Sequence, residues 1–148
     1  MKYLKQYLKL SFVVLYLISF LAGCTKKPIA VIYIDKDANK SEELAAREIR
    51  KYVYQRTGVL LPVIIWNSSD RIKGNAILVG GMSTGMMKSA GYSFPELGPD
   101  AFILKTITST EGKKLIVSGG SSISTLYAAY HLAEQLGVGF YLDGDVIP

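Results

Sequence analysis

The sequence is poor in the residues that carry most enzyme chemistry. Its 148 residues include one cysteine, Cys24, one histidine, His131, and one tryptophan, Trp66. A single cysteine excludes an intramolecular disulfide framework and leaves a thiol that needs another explanation. One histidine with no cysteine or acidic cluster beside it cannot build a zinc site of the usual kind, so no metal site is expected. Ser121, Ser122 and Ser124 lie within ten residues of His131, but no Gly-x-Ser-x-Gly turn supports a nucleophilic serine. The chain also lacks a P-loop and a Gly-x-Gly-x-x-Gly fingerprint, so no nucleotide or other cofactor is expected. It has no internal repeat, no low-complexity segment and no basic stripe of the kind that binds nucleic acid.

What is present begins at the N-terminus. Lys2, Lys5 and Lys9 precede an almost unbroken apolar run from Leu10 to Leu21, then Ala22, Gly23 and Cys24. Charged, then apolar, then small is the order of a secretory signal. The apolar run is shorter than the ~20 residues of a transmembrane helix. Leu21-Ala22-Gly23-Cys24 resembles the lipobox of bacterial lipoproteins, which implies cleavage before Cys24 and acylation of its thiol. Stable anchoring takes at least two acyl chains, and lipoproteins of that type carry them. Thr25 stands where an acidic residue would signal inner-membrane retention, so the expected location is the outer membrane of the cell envelope. Residues 1–23 are then a signal peptide, residues 24–28 a lipidated tether, and residues 29–148 one domain. The full chain has formal charge +5. Three of its lysines lie in the acid-free signal, so the remainder carries +2. Lys26 and Lys27 beside the anchor can touch lipid headgroups, though two charges make a weak patch.

Beyond the tether, Ile29 to Ile34 is a β-branched apolar run that reads as a strand buried on both faces. Asn39 or Ser41 can cap the helix that follows, and Glu42 and Glu43 suit its positive end. Ala45, Ile49, Tyr52 and Val53 recur at helical spacing, while Glu48, Arg50, Lys51 and Gln55 face water. Gly58 stops this helix. Leu60 to Trp66 is a second strand that Pro62 marks as an edge or a start. Ala76 to Val79 is a third, and residues 82–92 hold at most a helical turn. Ala101 to Ile107 and Lys114 to Ser118 form a hairpin. A second helix after Gly119-Gly120-Ser121 has Ile123, Leu126, Tyr127, Tyr130 and Ala133 as its apolar face, and Val138 to Leu142 is a last strand. The order β-α-β-β-β-β-α-β predicts an α/β (α+β) sandwich: a mixed sheet of five or six strands with two main helices on one or both faces.

The candidate chemistry is thin. Gly119-Gly120-Ser121-Ser122 runs from a strand into a helix N-terminus, where free amides can hold an anion. A tight strand-to-helix connection explains it better, and Gly80-Gly81 is read alike. Asp143 and Asp145 are a carboxylate pair, as glycosidases require. They stand in a Gly-containing turn, without the apolar setting that raises an acid's pKa. No catalytic residue is assigned. Of the aromatic residues, Trp66 at a strand end is the expected exposed platform for stacking a sugar.

Several segments together resemble a known family. They are Glu43-Leu44-Ala45-Ala46-Arg47-Glu48-Ile49-Arg50-Lys51-Tyr52, then Thr57-Gly58 and Leu61-Pro62-Val63. Asp100-Ala101-Phe102-Ile103-Leu104-Lys105 follows, then Thr125-Leu126-Tyr127-Ala128-Ala129-Tyr130 and Leu136-Gly137-Val138-Gly139-Phe140-Tyr141. The pattern is similar to the N-terminal domain of bacterial alpha-glucuronidases, alpha-N-acetylglucosaminidases and beta-hexosaminidases, over residues 29–148. The resemblance implies a small α/β accessory domain placed before a (β/α)₈ barrel that carries the catalytic carboxylates, with polysaccharide as the substrate. A barrel is therefore expected after Pro148. Ala101 and Ala128 stand where the pattern often has glycine, and Gly139 where it often has arginine. The alternative is a stand-alone carbohydrate-binding or partner-binding envelope lipoprotein.

Overall fold

The computed structural model describes residues 29–91 and 95–148. The signal, the tether and the lipidation expected at Cys24 lie outside the described residues. Ten elements follow in order: β1 (Val31–Asp35), α1 (Lys40–Thr57), β2 (Val63–Trp66), β3 (Ala76–Val79), α2 (Gly85–Ser89), β4 (Phe102–Ser109), β5 (Gly112–Gly119), α3 (Ser122–Gln135), β6 (Gly139–Tyr141) and β7 (Gly144–Val146).

Five strands make one mixed sheet in the order β2-β1-β3-β5-β4. β2, β1, β3 and β5 run parallel, and β4 returns antiparallel along β5 from a tight turn at Thr110 and Glu111. Pro62 directly precedes edge strand β2, where its missing N–H costs the ladder nothing. Alternation sorts the strand residues to two faces. Ile32, Ile34, Ile77, Val79 and Val117 meet α1 and α3 on one face. Leu78, Ile116 and Trp66 meet α2 and the loop that brings in Ile72 on the other. Burial of such side chains contributes roughly 1.5–3 kcal/mol each.

α1 starts where Asn39 accepts from the amides of Ser41 and Glu42 while Glu42 reaches back to the Asn39 amide, a reciprocal cap. It ends at Gly58, whose left-handed backbone (φ 71°) closes the last turn on the Tyr54 carbonyl. α1 and α3 lie side by side on the same sheet face. Their seam is built from small residues, Ala45 and Ala46 of α1 with Ala128 and Ala129 of α3, all fully buried. This corrects the expected face of α3. Ile123 and Tyr127 are more than half exposed, and the buried face is Ser124, Thr125, Ala128, Ala129, Leu132 and Ala133. Backbones that approach through alanine, serine and threonine leave no room for large side chains between them.

The last expected strand is also placed differently. β6 does not join the main sheet; it pairs with β7 as a separate hairpin. Phe140 sets its ring edge-on to Tyr52 of α1 (5.5 Å) and to Tyr130 of α3 (5.3 Å). Tyr52, Ala133 and Val138 form a third buried cluster beneath it.

Candidate functional site

The connection β1-α1-β2 leads to one side of β1 over one sheet face, and the chain after β3 leads to the other side with α2 on the opposite face. The carboxyl ends of β1 and β3 therefore flank a topological switch point, the place where open α/β sheets take ligands. A cavity of about 440 Å³ opens there. Asp37, Asn39 and Glu42 line one side, Ser83 and Thr84 another, and Ser121 with Glu96 the rest.

All three helices start at this end, so an anion site would need free amides here. Several of the amides around the cavity are already engaged. Met86 N–H donates to Asp35 Oδ2 (3.1 Å) and Met87 N–H to Thr84 Oγ1 (3.3 Å). Gly81 N–H donates to Glu42 Oε1 (2.6 Å) and Gly80 N–H to the Val117 carbonyl. Gly119 N–H donates to Thr125 Oγ1, Gly120 N–H to the Ala101 carbonyl and Ser121 N–H to Ser124 Oγ. Two buried carboxylates, Asp35 and Glu42, thus take up the amides at the start of α2 and in the glycine turn after β3. The Gly119-Gly120 pair has a packing reason of its own, whereas a Cβ on Gly80 or Gly81 would meet no atom closer than 3.3 Å. A Cβ on Gly119 would overlap Ser124 and Thr125, and one on Gly120 would overlap the carbonyls of Leu97 and Gly98. Gly119-Gly120 is a tight connection, as the sequence suggests.

The remaining candidates do not converge. His131 Nδ1 lies 2.9 Å from Glu134 Oε2 at the half-exposed surface of α3, with Phe102 beside the ring (5.5 Å). Ser124 begins the same helix seven residues earlier, about 10 Å away along the axis, so no serine-histidine pair forms. Among the described residues no group of three or more His, Cys, Asp or Glu side chains is placed to hold a metal ion.

Asp143 and Asp145 are likewise not a working pair. Asp145 Oδ2 accepts a 2.7 Å hydrogen bond from the Tyr52 hydroxyl and lies 3.5 Å from Lys51 Nζ. Lys51 also donates to the Tyr52 oxygen (3.1 Å) and pairs with Glu48 (3.6 Å). Burial, then the bond to Asp145, pushes the Tyr52 phenol up to about 12. The hydrogen bond to Tyr52 holds the Lys51 ammonium well above its ordinary range. Burial also raises Tyr130. This cluster binds the β6–β7 hairpin to α1; Asp143 stays exposed at the turn. Sequence reasoning missed it because the partners are 93 residues apart.

Trp66 does not offer the expected stacking surface. The indole is 5 % exposed, packed in the cluster of Leu78, Met86 and Ile116, and its Nε1–H donates to the Asp70 carbonyl (2.8 Å). Side-chain alternation turns it inward against α2, so no ring face is left for a sugar.

Comparison with known proteins gives one assignment. The model of the glycosyl hydrolase family 67 N-terminus matches residues 19–132. None of the curated proteins compared with the chain matches it. The family match spans the sheet, α1, all but the last three residues of α3 and the switch-point end, and stops short of the β6–β7 hairpin. The chain belongs to the glycosyl hydrolase family 67 N-terminus family.

Proposed function

We propose that this chain is the non-catalytic N-terminal domain of an alpha-glucuronidase-like glycoside hydrolase, held at the cell envelope by a lipid on Cys24. The family match carries the glycosidase part of the reading. The accessory role is supported by the carboxylates. Retaining and inverting glycosidases need two of them about 5–9.5 Å apart across a sugar, one with a raised pKa. Here Asp35 and Glu42 are committed to backbone amides and Asp145 to Tyr52 and Lys51. Hydrolysis then belongs to a (β/α)₈ domain following Pro148, with a polysaccharide as substrate. The lipid anchor rests on the sequence of residues 1–24.

Two experiments test the two parts. Reading the coding sequence past the Pro148 codon is expected to reveal a barrel-length frame; an immediate stop codon would overturn the multidomain reading. Growing cells with an alkyne fatty acid is expected to label the full chain, and Cys24→Ser is expected to abolish the label. Equal labelling of wild type and Cys24→Ser would refute the anchor.

A further inference from the structure

The two ends of the sheet carry opposite charge. Five of the 17 basic residues, Lys2, Lys5, Lys9, Lys26 and Lys27, precede residue 29, and all 12 acidic residues follow it. The domain from residue 29 is therefore formally neutral, twelve against twelve, but the charges at its two ends differ. At the carboxyl ends of the parallel strands stand Asp35, Asp37, Glu42, Glu43, Glu96 and Asp100, against Lys36, Lys40 and Lys88. At the amino ends stand Arg56, Arg71, Lys73 and Lys113. The acids of that end are Asp70, beside Arg71 in the same loop, Glu111, paired with Arg71 (3.3 Å), and Glu134, paired with His131. Among the described residues no salt bridge engages Arg56, Lys73 or Lys113.

The same end is where the tether leaves. Asn75 Nδ2 donates to the Ile29 carbonyl, and Asn75 Oδ1 accepts from the Lys113 amide. Arg56 Nε donates to the Leu136 carbonyl, closing the ends of α1 and α3 beside it. Ile29 (69 % exposed), Leu60 (56 %) and Tyr54 (51 %) add an apolar rim. Four residues, five Cα–Cα steps, separate Cys24 from Ile29, so even a fully extended tether spans about 17 Å. A lipid on Cys24 keeps this end near the headgroups, within reach of an electrostatic attraction that decays over about 8–10 Å.

We infer that the amino-terminal end of the sheet docks on an anionic lipid bilayer, with Arg56, Lys73 and Lys113 at the headgroups and Leu60 and Tyr54 at the interface. The inference rests on the reading that Cys24 carries the lipid. A neutral domain gains little from a charged surface by net attraction. A domain with separated charges gains an orientation: the basic end turns inward, and the acidic switch-point end and its cavity turn away from the membrane. Each basic residue at the surface shifts the docked-to-free ratio by about fivefold. Lys73→Gln with Lys113→Gln should therefore lower it about 25-fold.

The test uses the full lipidated chain on vesicles of pure phosphatidylcholine or of phosphatidylcholine mixed with phosphatidylglycerol. Because the lipid occupies the chain's one thiol, Leu60→Cys and Ser83→Cys each give a single site for a nitroxide. The expected result is that the label at position 60 enters the lipid interface only with phosphatidylglycerol, and returns to water on adding salt or with both lysine substitutions. The label at position 83, at the other end, should stay in water throughout. Protein that floats with vesicles while both labels remain in water, whatever the lipid, overturns the docking and leaves the anchor standing. Protein that does not float with either vesicle overturns both.

Discussion

At the scale of single residues, the polar side chains of this domain are spent on holding it together. Glu42 is the clearest case. Its two carboxylate oxygens serve two different elements, the N-cap of α1 and the glycine turn after β3. Glu42→Ala would leave both amides to find new partners in a site that is 5 % exposed. The expected cost is about 3 kcal/mol in urea unfolding, and a loss below about 1 kcal/mol would show that water replaces the carboxylate. Tyr52 makes the matching bond at the other end of α1. Tyr52→Phe keeps the ring packing against Phe140 and removes the 2.7 Å bond to Asp145, for an expected loss of about 1.5–3 kcal/mol. Burial of the phenol, and then the same bond, give the fold a pH dependence of known sign. The phenol titrates near 10 in the unfolded chain and near 12 in the fold. Its contribution is therefore complete below pH 10 and is lost as pH rises through 12. A denaturation series across that window should show the loss in wild type and a smaller loss in Tyr52→Phe.

Trp66 shows what sequence position alone does not reveal. A lone tryptophan at the end of an edge strand, ahead of a polar loop, reads as exposed. The loop folds back, supplies Ile72 to the same cluster, and offers the Asp70 carbonyl to the indole. Trp66→Ala is therefore expected to destabilise the domain by about 3–5 kcal/mol, as large core truncations do. A variant as stable as wild type would contradict the burial.

Among the elements, α3 carries the lesson about packing. Its termini follow the local rules: Ser121 caps it, with Ser124 returning the bond. Its orientation does not follow from hydrophobicity, because the seam with α1 selects small side chains and leaves Ile123 and Tyr127 outside. The approach of β5 to α3 is equally strict. Gly119→Ala must push Ser124 and Thr125 away from the first turn, and the expected cost is about 2 kcal/mol or more. An unchanged thermal midpoint would show that the turn relaxes freely. Elements written in local signals were legible in the sequence: the α1 caps, the Pro62 edge and the β4–β5 hairpin. The β6–β7 hairpin was not, because three-residue strands carry little pattern and their placement depends on Tyr52 and Tyr130, far away in the chain.

On the scale of the whole molecule, the fold places a cavity where α/β sheets bind ligands and engages the Gly81 and Met86 amides beside it with Glu42 and Asp35. The resemblance in sequence and the family match agree on what the domain belongs to. The absence of a convergent site could be seen only in three dimensions, since Asp143 and Asp145 look paired until Tyr52 and Lys51 are seen to hold one of them. The charge difference between the two sheet ends was also invisible in a linear count, because Arg56, Lys73 and Lys113 are far apart in the chain. The central claim is that the sugar chemistry lies outside these residues. The measurement that tests it most directly is release of the aglycone from an aryl alpha-glucuronide by the purified chain. The account predicts no turnover above buffer; turnover that disappears in a folded Asp143→Asn or Asp145→Asn variant would contradict it.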